Sequence, residues 1–118
     1  MYLYPLVLVG VGGAFGAVMR YSAVQFVSKY STFPVGTMVV NILGSLLIGM
    51  LMAKLQSEPA KLLLVTGVLG GFTTFSAFSW DMLQLLQKQQ FAAAAIYILG
   101  SVVLSLVAVY AGYALLKV

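Results

Sequence analysis

The chain has 118 residues, of which 63% are hydrophobic, and only six basic and two acidic side chains. Such a chain cannot give a soluble domain its charged surface, so the composition indicates that a lipid bilayer is the solvent. The lack of histidine and the presence of only two acids argue against an enzyme or a conventional metal site, and the scattered basic residues give no nucleic-acid patch.

Four hydrophobic segments are long enough to cross a bilayer as helices, which takes about 20 apolar residues each. They cover about residues 3–26, 34–53, 62–86 and 91–116, with short polar turns between them. The turns are too short to hold a second domain, so the sequence predicts one all-α, four-helix transmembrane domain over residues 1–118. The N-terminus has no basic region, so the first span is expected to be retained rather than cleaved as a signal peptide.

The first two spans combine small residues with one buried amide. Gly12 and Gly16 form a G-x-x-x-G pair in the first span, a spacing that lets membrane helices approach closely. In the second span Asn41 has Thr37 one turn before it and Ser45 one turn after it, so all three share a helix face. An amide in hydrocarbon is costly without partners; Asn41 is therefore either a helix–helix hydrogen bond or part of a polar path.

The third span contains GGFTTFSAFS at residues 70–79, a poor helix-forming sequence in the membrane interior. Adjacent glycines weaken a helix and threonines compete for its backbone hydrogen bonds, so a break is predicted near 70–75. Carbonyls freed by a break can bind a hard cation such as Na⁺. Phe75 and Phe78 follow the break one turn apart; they are either packing residues or rings whose positive edges face a passing anion.

The fourth span carries a second polar stripe. Tyr97, Ser101 and Ser105 are spaced by four residues and share one helix face. Such serines often hydrogen-bond their own backbone, which is the packing interpretation. The alternative is that the two stripes line one narrow, neutral, donor-rich path, together with Thr74, Ser76 and Ser79 of the third span.

The positive charges do not define an orientation. With four spans, both termini lie on one side of the membrane with Lys54, Lys61 and Lys117, and the other side carries Arg20, Lys29 and Lys88. Orientation normally follows an excess of Lys and Arg on the cytoplasmic side, and here neither side has an excess. The tie predicts insertion in both orientations and an antiparallel homodimer, unless another factor fixes the orientation.

The motifs PVGTMVVNILGS, GGFTTFSAFS and GGAFGAVMRY resemble those of the Fluc-type (CrcB-like) fluoride channels of bacteria. The resemblance extends over all four spans. It implies a passive fluoride channel of the bacterial cytoplasmic membrane that relieves fluoride toxicity, formed by an antiparallel, dual-topology homodimer in contact with lipid. Asp81 departs from the family's usual pattern, because Glu is common at that position.

The resemblance also implies roles for individual residues. It places the pore asparagine at Asn41, the pore phenylalanines at Phe75 and Phe78, and a vestibule arginine at Arg20. The polar track falls on Tyr97, Ser101 and Ser105. A structural Na⁺ at the dimer centre is held by the backbone carbonyls of Gly70 and Thr73 from both subunits.

Two other functions are compatible with the residues alone. A small dual-topology, proton-coupled solute or drug exporter has similar length and charge balance, and needs a titratable acid within the membrane. Asp81, near the end of the third span, is the candidate for that acid, because Glu58 lies in a turn. The other is an assembly protein without transport, whose polar side chains only join helices.

Overall fold

The computed structural model describes residues 3–117, and these residues are helical apart from short turns. Among them are four helical segments long and apolar enough to span a membrane. Helix α1 is Tyr4–Ser28, α2 is Val35–Lys54, the third span is Glu58–Gln87, and α6 is Phe91–Leu116. The predicted all-helical, four-span architecture is therefore confirmed, with boundaries that differ from the predicted ones by a few residues.

The third span is interrupted, as the sequence predicts, but its first half has an unexpected form. It consists of the turn α3 (Glu58–Ala60), a π-helix (Lys61–Leu69), the turn α4 (Gly70–Phe72), and then α5 (Ser76–Gln87). The adjacent glycines remain helical, and the helix ends at Phe72. The next residue, Thr73, adopts an extended conformation at φ −89° and ψ 159°. The break thus lies at 73–75, the C-terminal part of the predicted interval.

Local sequence explains how the third span begins and ends. The Ser57 hydroxyl accepts a hydrogen bond from the Ala60 backbone N–H, which caps the first turn. At the other end, Gln89 has a φ of 58°. The N–H groups of Gln89 and Gln90 then bond the carbonyls of Leu86 and Leu85. These bonds form a Schellman motif, which ends α5.

Glycines set the two principal helix contacts. Helix α1 packs on the first half of the third span, and α2 packs on α6. A Cβ atom at Gly16 would collide with the carbonyl oxygen of Val68, and one at Gly49 would collide with that of Val109. In lipid, where apolar burial does not distinguish a neighbouring helix from lipid tails, such backbone proximity provides the packing energy.

We expect Gly16→Ala to destabilise the protein by about 1–3 kcal/mol, because the added methyl group forces the two backbones apart. Gly10→Ala is the matched control in the same helix, because a Cβ at Gly10 meets no atom within 4 Å. That control should be neutral or stabilising by up to about 1 kcal/mol, since alanine is the better helix former. Thermal unfolding in detergent distinguishes the two variants, and equal melting temperatures would contradict the packing argument.

The interior is formed by two small apolar clusters, one on each side of the helix break. Val40, Leu69 and Phe72 form the first, and Phe78, Leu85, Ala94 and Tyr97 form the second. Large apolar side chains on the outer helix faces, such as Phe15 and Leu115, are exposed. This distribution is typical of a chain whose outer surface contacts lipid.

Candidate functional site

The break in the third span is held by the side chain of Asn41. The Asn41 Nδ2 donates to the Thr74 carbonyl oxygen over 2.9 Å, and the Thr74 backbone N–H donates to Asn41 Oδ1 over 2.7 Å. The amide thus satisfies both backbone groups of a residue in the break at membrane depth, where an unpaired backbone group would be costly. Asn41 therefore makes a hydrogen bond between two membrane spans, as the packing interpretation predicts.

Two further side chains satisfy backbone groups at the break. Arg20 Nε donates to the Gly71 carbonyl oxygen over 3.0 Å. The Thr74 hydroxyl accepts from the Ala77 N–H over 3.1 Å and so caps the start of α5. Arg20 is half-buried, so its positive charge lies beside the end of the first half of the third span.

These contacts leave two carbonyl groups without their helical donors. In a continuous helix the Gly70 carbonyl would accept from the N–H of Thr74, and the Thr73 carbonyl from that of Ala77. The Thr74 N–H bonds Asn41 and the Ala77 N–H bonds the Thr74 hydroxyl instead. Among residues 3–117, no hydrogen bond outside the helices ends on either carbonyl. The Gly70 backbone is also exposed on the surface of the chain.

A cavity of about 470 Å³, here called the central cavity, opens beside the break. Eight of the predicted site residues line it: Asn41, Gly70, Thr73, Thr74, Phe75, Phe78, Ser101 and Ser105. The lining residues include no charged side chain. Ser101 is only 6% exposed, and its Oγ has no hydrogen-bond partner in the part of the chain that the structure describes. A buried polar atom without a partner requires an explanation, and a ligand in the cavity would supply one.

Aromatic rings continue from the central cavity along one side of the chain. The ring centroids of Phe75 and Phe78 are 5.5 Å apart, and those of Phe78 and Tyr97 are 5.1 Å apart. Phe78 is buried at 8% exposure, whereas Phe75 is 78% exposed. The two phenylalanines therefore differ: Phe78 is a core residue that reaches the cavity, and Phe75 lies at its open side.

A second cavity, here called the end cavity, lies beyond the Tyr97 ring and has a volume of about 260 Å³. Thr37 and Asp81 line it. The Tyr97 hydroxyl donates to Asp81 Oδ2 over 2.8 Å. Tyr97 is completely buried, so its ring contacts Phe78 of the central cavity while its hydroxyl meets a residue of the end cavity.

Two predicted pore residues, Ser76 and Ser79, line neither cavity. Ser79 Oγ donates to the Phe75 carbonyl oxygen, and the Ser76 hydroxyl lies 3.3 Å from that of Thr74. Both serines are exposed. Ser45, which shares the Asn41 face, lines the cavity but donates to the Asn41 carbonyl oxygen. The polar residues therefore do not form one continuous stripe; they divide between the two cavities and local backbone bonds.

Sequence reasoning missed three features of the site. It did not identify the partner of Asn41, the contact of Arg20 with the break, or the link between Tyr97 and Asp81. A signal existed for the last of these, because Asp81 is the only acid within the spans predicted from the sequence, and Tyr97 is the first residue of the polar stripe in α6. No sequence spacing pairs Asn41 with Thr74 or Arg20 with Gly71, since each pair joins separate helices.

Comparisons with known proteins bear on the whole chain. Residues 7–113 match the family described as CrcB-like protein, Camphor Resistance (CrcB). A protein of Rhizobium meliloti (strain 1021) named fluoride-specific ion channel FluC is 46% identical, with 95% of each chain covered. One of the same name from Francisella tularensis subsp. mediasiatica (strain FSC147) is 48% identical over 92% of this chain and 91% of its own.

A more distant relative from Geobacillus kaustophilus (strain HTA426), named fluoride-specific ion channel FluC 1, is 38% identical over 94% of this chain and 97% of its own. The similarity therefore includes all four spans, the helix break and both cavities. It confirms the resemblance drawn from the sequence motifs. The chain belongs to the CrcB-like family.

Proposed function

We propose that this chain forms a passive fluoride-selective channel of the bacterial cytoplasmic membrane that lets accumulated fluoride leave the cell. Its relatives are named fluoride-specific ion channels, and this chain matches them over nearly their whole length. The observation that carries the proposal is the unpartnered Ser101 hydroxyl in an uncharged cavity beside the break. Fluoride is small and strongly hydrated, so a pore must replace its water with hydrogen-bond donors. The proposal describes a conduit, not an enzyme.

The central cavity supplies donors without binding the ion too firmly. The Asn41 amide has two N–H donors, of which the Thr74 carbonyl takes one. In this proposal Asn41, Ser101 and Ser105 donate to the ion, and Phe75 and Phe78 present their positive ring edges. A fixed cation inside the pore would retain an anion. Thr74 lines this path, and Tyr97 and Thr37 continue it. Ser76 supports the Thr74 hydroxyl, Ser79 supports the Phe75 carbonyl, and Arg20 is a vestibule charge.

Fluoride efflux from liposomes containing the purified protein tests the proposal. Efflux should be electrogenic, should follow the imposed membrane potential, and should be unchanged when a pH gradient is imposed. Protein-free liposomes and chloride-loaded liposomes are the controls. Flux that depends on the pH gradient would instead support the proton-coupled exporter with Asp81 as its acid. Absence of any flux would support an assembly protein.

The proposed channel is an antiparallel homodimer. The single chain leaves Phe75 at 78% exposure, the Gly70 backbone exposed and the central cavity open on one side. A second copy that covers this side would enclose the cavity and bury the ring. The three-against-three distribution of basic residues permits both orientations in one population.

Tags at the C-terminus should accordingly be found on both sides of the membrane in one cell population. Adding two or three lysines to the turn at residues 55–57 should shift the population to a single orientation, because that side then carries the excess of positive charge. Adding the same number of glutamines there is the control. If every C-terminus of the parent chain lies in the cytoplasm, the antiparallel dimer is wrong.

A structural Na⁺ completes the proposal. The Gly70 and Thr73 carbonyls lack their helical donors, because the Thr74 N–H bonds the Asn41 side chain and the Ala77 N–H bonds the Thr74 hydroxyl. Main-chain carbonyls of broken membrane helices are the ligands that commonly hold Na⁺ in transporters. Two carbonyls from each of two subunits would provide four oxygen ligands and join the two broken helices at the dimer centre.

Replacing Na⁺ with a large organic cation throughout purification should therefore reduce the fraction of dimer. N-methylglucamine is suitable because it cannot fit between carbonyl ligands. Size-exclusion chromatography and crosslinking measure the dimer, and returning Na⁺ should restore it. An unchanged dimer and unchanged fluoride flux in Na⁺-free buffer would remove the ion from the proposal.

A further inference from the structure

The end cavity presents an unusual pair of charges. One face of α5 and the C-cap residue that follows it contribute four lining residues at the spacing i, i+3, i+4 and i+7, namely Asp81, Gln84, Leu85 and Lys88. The other lining residues come from the end of α1, the start of α2 and the turn between them, and include Ser28, Ser31, Thr32 and Thr37. Asp81 and Lys88 are the only ionisable side chains among the lining residues.

The two charges occupy different depths of the cavity. Asp81 binds the buried Tyr97 hydroxyl through Oδ2, so it lies at the inner end. Lys88 is seven residues later, about 10 Å further along the helix axis, and is exposed at the C-terminal end of α5. The Schellman motif formed by the two residues after Lys88 fixes where the helix ends. An anion entering from this side therefore meets Lys88 before it meets the carboxylate.

We propose that Lys88 is the anion-attracting residue of the pathway mouth, which offsets the repulsion from Asp81 and raises the local fluoride concentration. This inference rests on the proposed channel function. Tyr97 lies between the two cavities: its hydroxyl donates to Asp81 of the end cavity, and its ring packs on Phe78 of the central cavity. A charge at the mouth of a low-dielectric cleft changes the rate at which ions enter, and that effect declines steeply with ionic strength.

The competing explanation is that Lys88 only complements the helix macrodipole, as cations at helix C-termini commonly do. That role predicts a small change in stability and none in flux. The mouth role predicts a change in flux that depends on ionic strength, so the two explanations can be separated by one set of variants.

The chain contains no cysteine, so Lys88→Cys provides a unique site for chemical modification of the folded protein. We would treat this variant in detergent with methanethiosulfonate reagents that attach a positive, a neutral or a negative group, then reconstitute it. At low ionic strength, fluoride efflux should be roughly threefold or more faster with the positive group than with the negative group. The difference should shrink towards none at about 0.5 M of an impermeant salt.

Lys61→Cys is the matched control, because Lys61 begins the π-helix at the other end of the third span and lines neither cavity. Its three adducts should conduct equally. Equal efflux from all three Lys88→Cys adducts at low ionic strength, while the parent conducts, would overturn the role of Lys88 alone. A parent chain without fluoride flux would overturn the channel function, and this inference with it.

Discussion

Asn41→Asp is expected to reduce fluoride flux by more than about a hundredfold. The substitution keeps the shape of the side chain but places a negative charge on the wall of the central cavity. Two unit charges about 4 Å apart repel by about 4 kcal/mol at an effective dielectric constant of about 20, which opposes entry of any anion. Liposome efflux at neutral pH measures the effect directly.

The structure adds a cost that the sequence does not reveal. The carboxylate that this variant carries at position 41 can still accept from the Thr74 N–H, but it cannot donate to the Thr74 carbonyl as the Asn41 Nδ2 does. Two oxygens would then face each other, and we expect a loss of about 1–3 kcal/mol in stability. The four helices should nevertheless pack, because the close contacts of Gly16 with Val68 and of Gly49 with Val109 do not involve Asn41. We therefore expect the folded chain still to form the dimer.

Asn41→Ala separates the charge effect from the loss of hydrogen bonds. It leaves both Thr74 backbone groups without their side-chain partner and should cost a similar amount of stability, but it adds no repulsion. Flux should therefore be reduced much less than in Asn41→Asp. Equal loss in both variants would show that the added charge is not what stops the ion, and surviving flux in Asn41→Asp would remove Asn41 from the pathway.

The position of the break shows what can be predicted from local sequence. The adjacent glycines and threonines predict a weak point because each lowers helix stability through its own residue. The break forms at Thr73, not at the glycines. Gly71 has a different role, because a Cβ there would collide with the Gly13 carbonyl of α1. Gly71 thus serves close packing, and only the tertiary contact reveals it.

For the polar residues, helix periodicity predicts which side chains share a face, but not which cavity each one lines. Periodicity correctly groups Ser101 and Ser105 on one face, and both line the central cavity. The same reasoning groups Thr37 with Asn41, yet Thr37 lines the end cavity. A path that bends around a broken helix does not follow one helix face, so residues one turn apart serve different cavities. The π-helix at Lys61–Leu69 has no local sequence signal that we can identify.

Replacing either phenylalanine with an aliphatic residue should strongly reduce fluoride flux while the protein stays folded. Phe78→Leu and Phe75→Met keep apolar volume, so each should cost about 1.5 kcal/mol or less in stability. An aliphatic surface has no positive rim to offer an anion, so flux should fall far more than stability does. Tyrosine at either position should be milder, because the ring remains.

Phe72→Leu is the matched control in the same span. Phe72 is buried at 4% exposure, compared with 8% for Phe78, but it does not line the central cavity. The two leucine variants should therefore lose similar stability, and only Phe78→Leu should lose its flux. Phe75→Met extends the comparison to a ring that is exposed on the single chain. If flux follows stability across these variants and is indifferent to the presence of a ring, the ring-edge mechanism fails and the phenylalanines serve only packing.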